Sequence, residues 1–404
     1  MISNPISGAG GITLINRRER KLLLMSAYVT PNSQISHYTQ HILQSSLNWS
    51  ETMSLARHWR VRPYLFQLIN AHNLQSYVPE NHFKTLQEDY QRQAMQTIYL
   101  KRQIQDINHL FTKKNISYCL IKGAEMVNTI YENKPVRPMS DIDILCYPKD
   151  IDAIVETLTH LGYYQKTMHQ SHELQSIATD RKHYPAFFHN KRHTIEVHFN
   201  LFPGAANQHC LTETVWEHAL PIDNTCQFQL NKDHHLLYLC HHLAYHHQSP
   251  REGLTLYWFF DIYQWIKQYQ ASIDCRLFHA LLPEDRSQIE YIYKIVDHQW
   301  IKPESVTQNF NITDSRLETI LNQNLNDKRI SKIKRVLSYY HHVWCDKQPQ
   351  WSYFERFNYW FRLIFPQFSY VKDRYHIQHK WALPLYCLIH PFLVILRAIK
   401  RLVR

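Results

Sequence analysis

A chain of 404 residues that is 44% hydrophobic and 13% aromatic carries enough apolar material for about two or three packed units, which excludes a disordered chain. A formal net charge of +11 points to an anionic partner, whether nucleotide, nucleic acid or membrane surface, without choosing among them. Eight scattered cysteines with no C-x-x-C pair argue against a disulfide scaffold, and Arg17, Arg18, Arg20 and Lys21 precede only a short apolar run, so no signal peptide is read. The expectation is a cytoplasmic protein with free thiols.

Residues 1–14 hold Gly8-Ala9-Gly10-Gly11 with no following Lys-Ser/Thr, which is a flexible tail and not a P-loop. Residues 15–112 then read as a helical region. Leu22 to Met25 give a short apolar helix, Asn48-Trp49-Ser50-Glu51 starts another, and Pro63 opens a third. From Pro79 to Phe111, Leu86, Tyr90, Ala94, Ile98, Leu100, Ile104, Ile107 and Phe111 recur at helical spacing.

Residues 113–204 change character. Ile116 to Ile121 reads as a buried strand, Gly123 stands where strand gives way to helix, and Ala124 to Tyr131 has helical spacing. After the loop Lys134-Pro135-Val136-Arg137-Pro138, Asp141 to Cys146 is the next strand, and Asp150 to Leu161 is a helix closed by Gly162. His183 to Phe188 and Thr194 to Phe199 are expected to form a hairpin. The result is a compact α/β module. Residues 205–380 return to helical patterns, at Leu236 to Ala244, Leu254 to Ile266, Ser287 to Val296, Leu317 to Leu325 and Ile330 to Trp344. Residues 381–404 are apolar and then basic. Broken by Pro384 and Pro391, they are too short to span a bilayer, and a packed terminal helix is favoured over an interfacial one.

Residues two apart on a strand share a face, so Asp141 and Asp143 point one way while Ile142 and Ile144 enter the core. Two carboxylates so close repel unless a cation lies between them, which implies a divalent metal. Glu196 and His198 likewise share a face. If their strand pairs beside the Asp strand, Glu196 reaches the same metal, and two magnesium ions on Asp141, Asp143 and Glu196 suit an all-oxygen site completed by substrate phosphates. Gly123 at a helix start offers unpaired N–H groups to phosphate, and Lys122 and Arg137 are placed to neutralise a triphosphate. His183 and His198 are candidates for the cleft wall. His242 and His246 lie four apart on one helix face, as zinc ligands could, but no Glu stands between them; they read as structural or substrate-facing, with Asp261 orienting one of their rings.

The series Lys122-Gly123, Arg137-Pro138-Met139-Ser140-Asp141-Ile142-Asp143-Ile144-Leu145, Gly162-Tyr163 and Glu196-Val197-His198 resembles the uncharacterised nucleotidyltransferase family of the DNA polymerase β-like superfamily. The likeness extends to Asn48-Trp49 upstream and to His242-Leu243-Ala244-Tyr245-His246, Trp258 and Asp261 downstream. It implies an α+β fold: a polymerase β-like module, a small mixed sheet with helices, flanked by N-terminal and C-terminal helical regions. It also implies Asp141, Asp143 and Glu196 as catalytic metal-binding acids, Glu196 nearest the role of base, and Gly123 and Ser140 at the NTP triphosphate. The sequence departs from the superfamily in having Ala124, with no hydroxyl, after Gly123; Lys122 is read as the substitute.

The expected function is therefore transfer of a nucleoside monophosphate from an NTP to an unidentified acceptor. A small molecule, sugar or peptide is favoured over nucleic acid, because the basic charge is spread and no separate nucleic-acid motif is present. The alternatives are a non-catalytic nucleotide- or anion-binding module, and a membrane-surface adaptor using the basic C-terminus at the inner face of the membrane.

Overall fold

The computed structural model describes residues 17–165, 183–201, 214–248, 255–273, 283–303 and 314–327, with a few positions between 384 and 392. Four short helices open the chain: α1 (Arg17–Met25), α2 (Ser33–Leu43), α3 (Trp49–His58) and α4 (Arg62–Ala71). Asn48 caps α3 by accepting from the Glu51 amide, and Pro63 lies in the first turn of α4 where its missing N–H costs nothing. Helix α2, capped by Asn32, is an element that apolar spacing did not announce. The long α5 (Glu80–Lys113) follows.

The five-stranded sheet has the order β3-β2-β1-β5-β4, with β1 (Tyr118–Leu120), β2 (Asp141–Cys146), β3 (Thr194–His198), β4 (Leu220–Pro221) and β5 (Gln227–Gln229). Strand β2 runs antiparallel to β1 and parallel to β3, and β5 runs parallel to β1. Segment 183–188 does fold back on β3, through bridges His183↔His198 and Phe187↔Ile195, without becoming a regular strand. The β4–β5 hairpin extends the sheet beyond residue 204, into the stretch read from sequence as helical. Its strands are two and three residues long, the first exposed and the second half-buried, too short to show alternation.

Helices α6 (Lys122–Asn128) and α7 (Ile151–His160) belong to the sheet, and Gly162 closes the α7 end at φ +84° as expected of a helix-terminating glycine. Ile142, Ile144, Ile195 and Val197 pack on one face against Ile104, Ile107 and Phe111 of α5 and Ile154 and Leu158 of α7. Leu145, on the other face with the acids, joins a larger core built from α1 to α4 and from α8 (Lys232–Gln248), α9 (Tyr257–Tyr269), α10 (Pro283–Val296) and α11 (Ser315–Asp327). Trp300, fully buried just after α10, donates its indole N–H to the Leu24 carbonyl at 3.1 Å, tying the last helices to the first. The Asp face of β2 is thus roofed by helices from both flanks. The fold is α+β, a mixed sheet with helical regions on either side. The segments at 1–14, Ile330 to Trp344 and most of 381–404 lie outside the described residues.

Candidate functional site

The register of the two parallel strands sets the site. Asp141 lies opposite Thr194 and Asp143 opposite Glu196, so a neighbouring pair of carboxylates comes from adjacent strands. The β1 ladder runs one residue past its strand, with the Ile121 amide bonding the Asp143 carbonyl at 3.2 Å. The next residue, Lys122, has φ +50°, a left-handed conformation that side-chain-bearing residues rarely adopt. That turn sends the ammonium to within 2.6 Å of Asp143 Oδ1.

Lys122, Asp143 and His198 are 7%, 3% and 0% exposed, so the centre is buried. Asp143 Oδ1 also takes the His198 Nε2–H at 2.8 Å, and Glu196 Oε2 lies 3.6 Å from the same nitrogen. Burial favours the neutral Asp143 carboxyl, but Lys122 and His198 outweigh it and hold the group well below the usual carboxylate range. Glu196 moves the same way: burial raises it, and His198 and Lys122 bring it net down. Asp141 goes the other way. Burial and then the Asp143 charge push it up to about 6, and its nearest polar partner is the Ser140 hydroxyl at 3.2 Å. Ser140 is exposed and Asp141 half-buried, so the site opens at that end.

Asp143, Glu196 and His198 put ligand atoms within 4.8 Å of one another, and Asp141 adds a third carboxylate on the same face. Three acids against one ammonium, with Asp141 reluctant to ionise beside Asp143, is a donor set short of positive charge. A hard divalent cation fits it.

A family model described as uncharacterised nucleotidyltransferase matches residues 45–288. The chain belongs to this family. No curated protein and no solved structure matches it. The general chemistry is therefore nucleotidyl transfer, and the matched span contains every residue of the site just described.

Within this nucleotidyltransferase, several residues stand elsewhere than sequence spacing suggested. Arg137 does not join the acids. Its guanidinium, 5% exposed, grips Asp261 with Nε at 2.9 Å and Nη2 at 2.8 Å from Oδ2, and stacks 5.1 Å from the Tyr257 ring. Asp261 accordingly serves Arg137 rather than a histidine. Gly123 does not make the turn; Lys122 does. Gly123 lies inside the first turn of α6, where a Cβ would overlap the Arg137 guanidinium and the Met139 sulfur, so the glycine admits the loop that leads to Asp141. His183 is near the centre, its ring 5.2 Å from that of His198, and its Nδ1–H is given to the Tyr184 carbonyl. His242 packs edge-on against Trp258 at 5.0 Å, and the His246 side chain lies outside the described residues.

Tyr238 of α8 was not singled out in the sequence. Its buried ring lies 5.9 Å from the Lys122 ammonium, roofing the ion pair. An aromatic in a helical run reads as core until the helix is placed over the sheet.

Proposed function

We propose that this nucleotidyltransferase moves a nucleoside monophosphate from an NTP to a hydroxyl or phosphate of a small-molecule, sugar or peptide acceptor, releasing pyrophosphate, with magnesium bound. The observation that carries the reading is the Asp143–Glu196 pairing across two parallel strands, with Asp141 on the same face. Asp141, Asp143 and Glu196 would hold the metal, which when bound supplies charge neutralisation at phosphoryl oxygens. In the transfer, an acceptor oxygen bonds the α-phosphorus as the bond to the β-phosphate oxygen breaks, and the electron pair departs with pyrophosphate. Glu196, kept ionised, is the group placed to take the acceptor's proton. Lys122 is the cation nearest the acids and the one available to the triphosphate; Arg137, engaged by Asp261, instead holds the loop before Asp141.

His198 is read as a donor to Asp143 and not as a metal ligand. A carboxylate oxygen can only accept, so Nε2 carries the hydrogen; Nδ1 is buried with no partner. A histidine that ligates through Nε2 ordinarily gives its other N–H to an acceptor, and none is there. An oxygen-only set favours magnesium.

Among the described residues, Cys119 and Cys146 lie on neighbouring strands as free thiols, and Cys226 is a third. No helix among the described residues is long and apolar enough to cross a membrane.

The test is incubation of the full chain with magnesium and each labelled NTP, measuring pyrophosphate release or self-labelling. Asp143→Asn and Glu196→Gln should remove turnover while circular dichroism stays unchanged. A second reading, a nucleotide-binding module without catalysis, draws on Lys122 already neutralising Asp143. NTP binding without any pyrophosphate release, across a panel of acceptors, would favour it.

A further inference from the structure

A second feature lies beside the loop that leads into Asp141. Between the end of α3, the start of α4 and the middle of α5 is an open cavity of about 180 Å³, lined by Arg57, Arg60, Arg62 and Arg92. Four guanidiniums there face a single carboxylate, Asp89. Arg62 meets it at 3.0 Å and Arg92 at 2.7 Å, so that one acid is already shared. Arg57 and Arg60 are exposed and, among the described residues, meet no carboxylate; Arg60 leans on Tyr257, with its guanidinium carbon 5.6 Å from the ring.

Arg60 stands just past the end of α3 at φ +58°, where the Val61 amide bonds back to the Ala56 carbonyl at 2.8 Å. Glycine is the strain-free residue at such a helix end. An arginine there keeps a cation at the cavity mouth despite the backbone cost. Tyr257 connects this cation to the site, because its ring is also the one beside Arg137. The cavity wall includes Pro138, and Gln93, another lining residue, holds the Arg137 carbonyl at 2.8 Å. Pro138 is three residues from Asp141, at most about 11 Å along an extended chain.

We propose that this cavity binds a phosphate or diphosphate group of a substrate whose other end reaches the acids. The inference deepens the nucleotidyl-transfer reading and rests on it for the word substrate. Planar guanidinium forks match phosphate oxygens in pairs, and two that hold no carboxylate, Arg57 and Arg60, suit a multiply charged group. The volume falls below the range for a whole drug-sized ligand, so the cavity takes an anionic end and leaves the rest outside. Two sources share this chemistry: the phosphates of a phosphorylated acceptor, and the tail of the NTP itself.

Inorganic pyrophosphate, titrated calorimetrically into the metal-free full chain at fixed ionic strength, reads the cavity directly. Arg57→Gln and Arg60→Asn, chosen because neither arginine holds a carboxylate and asparagine tolerates the left-handed backbone, should together weaken binding by about tenfold or more. Lys191→Gln, an exposed charge removed in another turn, should leave it unchanged. Absence of saturable pyrophosphate binding, or equal losses in the Lys191 variant, overturns the proposal. The source is read from a fluorescent NTP analogue with magnesium. Unchanged analogue binding in the double variant assigns the cavity to an acceptor phosphate, and parallel loss assigns it to the NTP tail. Failure of the wild-type chain to bind the analogue, with pyrophosphate still bound, would count against the nucleotidyl-transfer reading and leave the phosphate site standing.

Discussion

The Lys122 ammonium sits 2.6 Å from Asp143 Oδ1, delivered there by a backbone held at φ +50°. Burial alone would strip the charge from such a lysine, yet the Asp143 carboxylate overrides it and raises Lys122 above its ordinary value. Lys122 is the positive member of an otherwise acidic centre. It gives the metal-free protein a way to bury Asp143, and it leaves a cation at hand for a triphosphate.

Removing that cation should therefore be felt first in the metal-free protein. Lys122→Met keeps the bulk of the stem and leaves the Asp143 charge to His198 alone. Urea unfolding without metal should show a loss of about 3–5 kcal/mol, the usual cost of orphaning one member of a buried pair. Saturating magnesium should return part of it, since the cation would take over the neutralisation. Equal stability of variant and parent in both conditions would show that the ion pair does not hold the site together.

Asp141 supplies a pH test. Burial and the neighbouring Asp143 charge lift its carboxyl to about 6, so it is increasingly protonated as pH falls through that value. A metal needs the carboxylate form. Magnesium or manganese affinity, measured from pH 7.5 downward, should weaken through pH 6 and be about tenfold lower one unit below the Asp141 value. Asp141→Asn should flatten the dependence at a reduced affinity. A parent protein with flat affinity across the range would remove Asp141 from the ligand set.

His198 separates orientation from ligation. Glutamine can place an amide N–H near the position of the imidazole Nε2–H, and alanine cannot. His198→Gln should keep manganese affinity close to the parent's, whereas His198→Ala should lose about tenfold, as for other residues that orient a ligand. Electron spin-echo spectra of the manganese-loaded parent should lack directly coordinated imidazole nitrogen. Such a coupling would move His198 into the metal's ligand shell and weaken the case for an oxygen-only site.

How far this was legible in the sequence depends on whether the signal was local. Period-two alternation in Asp141-Ile142-Asp143-Ile144 and Ile195-Glu196-Val197 fixes which side chains share a face, and Ile142, Ile144, Ile195 and Val197 do fill one core together. Strand pairing is not local, yet the acids' common face made the Asp143–Glu196 neighbourhood a natural expectation. Gly123 reads as the residue at the strand-to-helix junction, but the left-handed turn there falls on Lys122, and the glycine instead admits Arg137 and Met139. Arg137 and Asp261 are 124 residues apart. Nothing in either neighbourhood announces the other, so an arginine beside an acidic motif reads as a phosphate ligand until the helix carrying Asp261 is placed. The same holds for the arginine cavity, whose members come from three helices and the turn between two of them.

The histidines of α8 make the last prediction, one of stability. His235 is fully buried against the Trp265 ring at 4.1 Å, and neither ring nitrogen has a hydrogen-bond partner; His234 is likewise buried and unpartnered. Burial, with the nearby Lys232 charge adding to it, drops His235 from 6.5 to about 3, and burial with His218 drops His234 to about 4. Both are neutral in the folded chain near pH 7. In the unfolded chain they titrate near their ordinary value, so between about 6.5 and these lowered values the unfolded state binds the extra protons. Stability contributed by the neutral rings is thus complete above pH 6.5 and falls as pH is lowered. For His235 the loss by pH 5 is about 2 kcal/mol relative to neutral pH. Thermal unfolding of the metal-free chain from pH 7.5 to 5 should show that decline, and His235→Phe, which cannot take a proton, should reduce its slope even if its absolute stability shifts. A slope identical in parent and variant would mean that His235 is protonated in the fold, with an acceptor the structure does not give it.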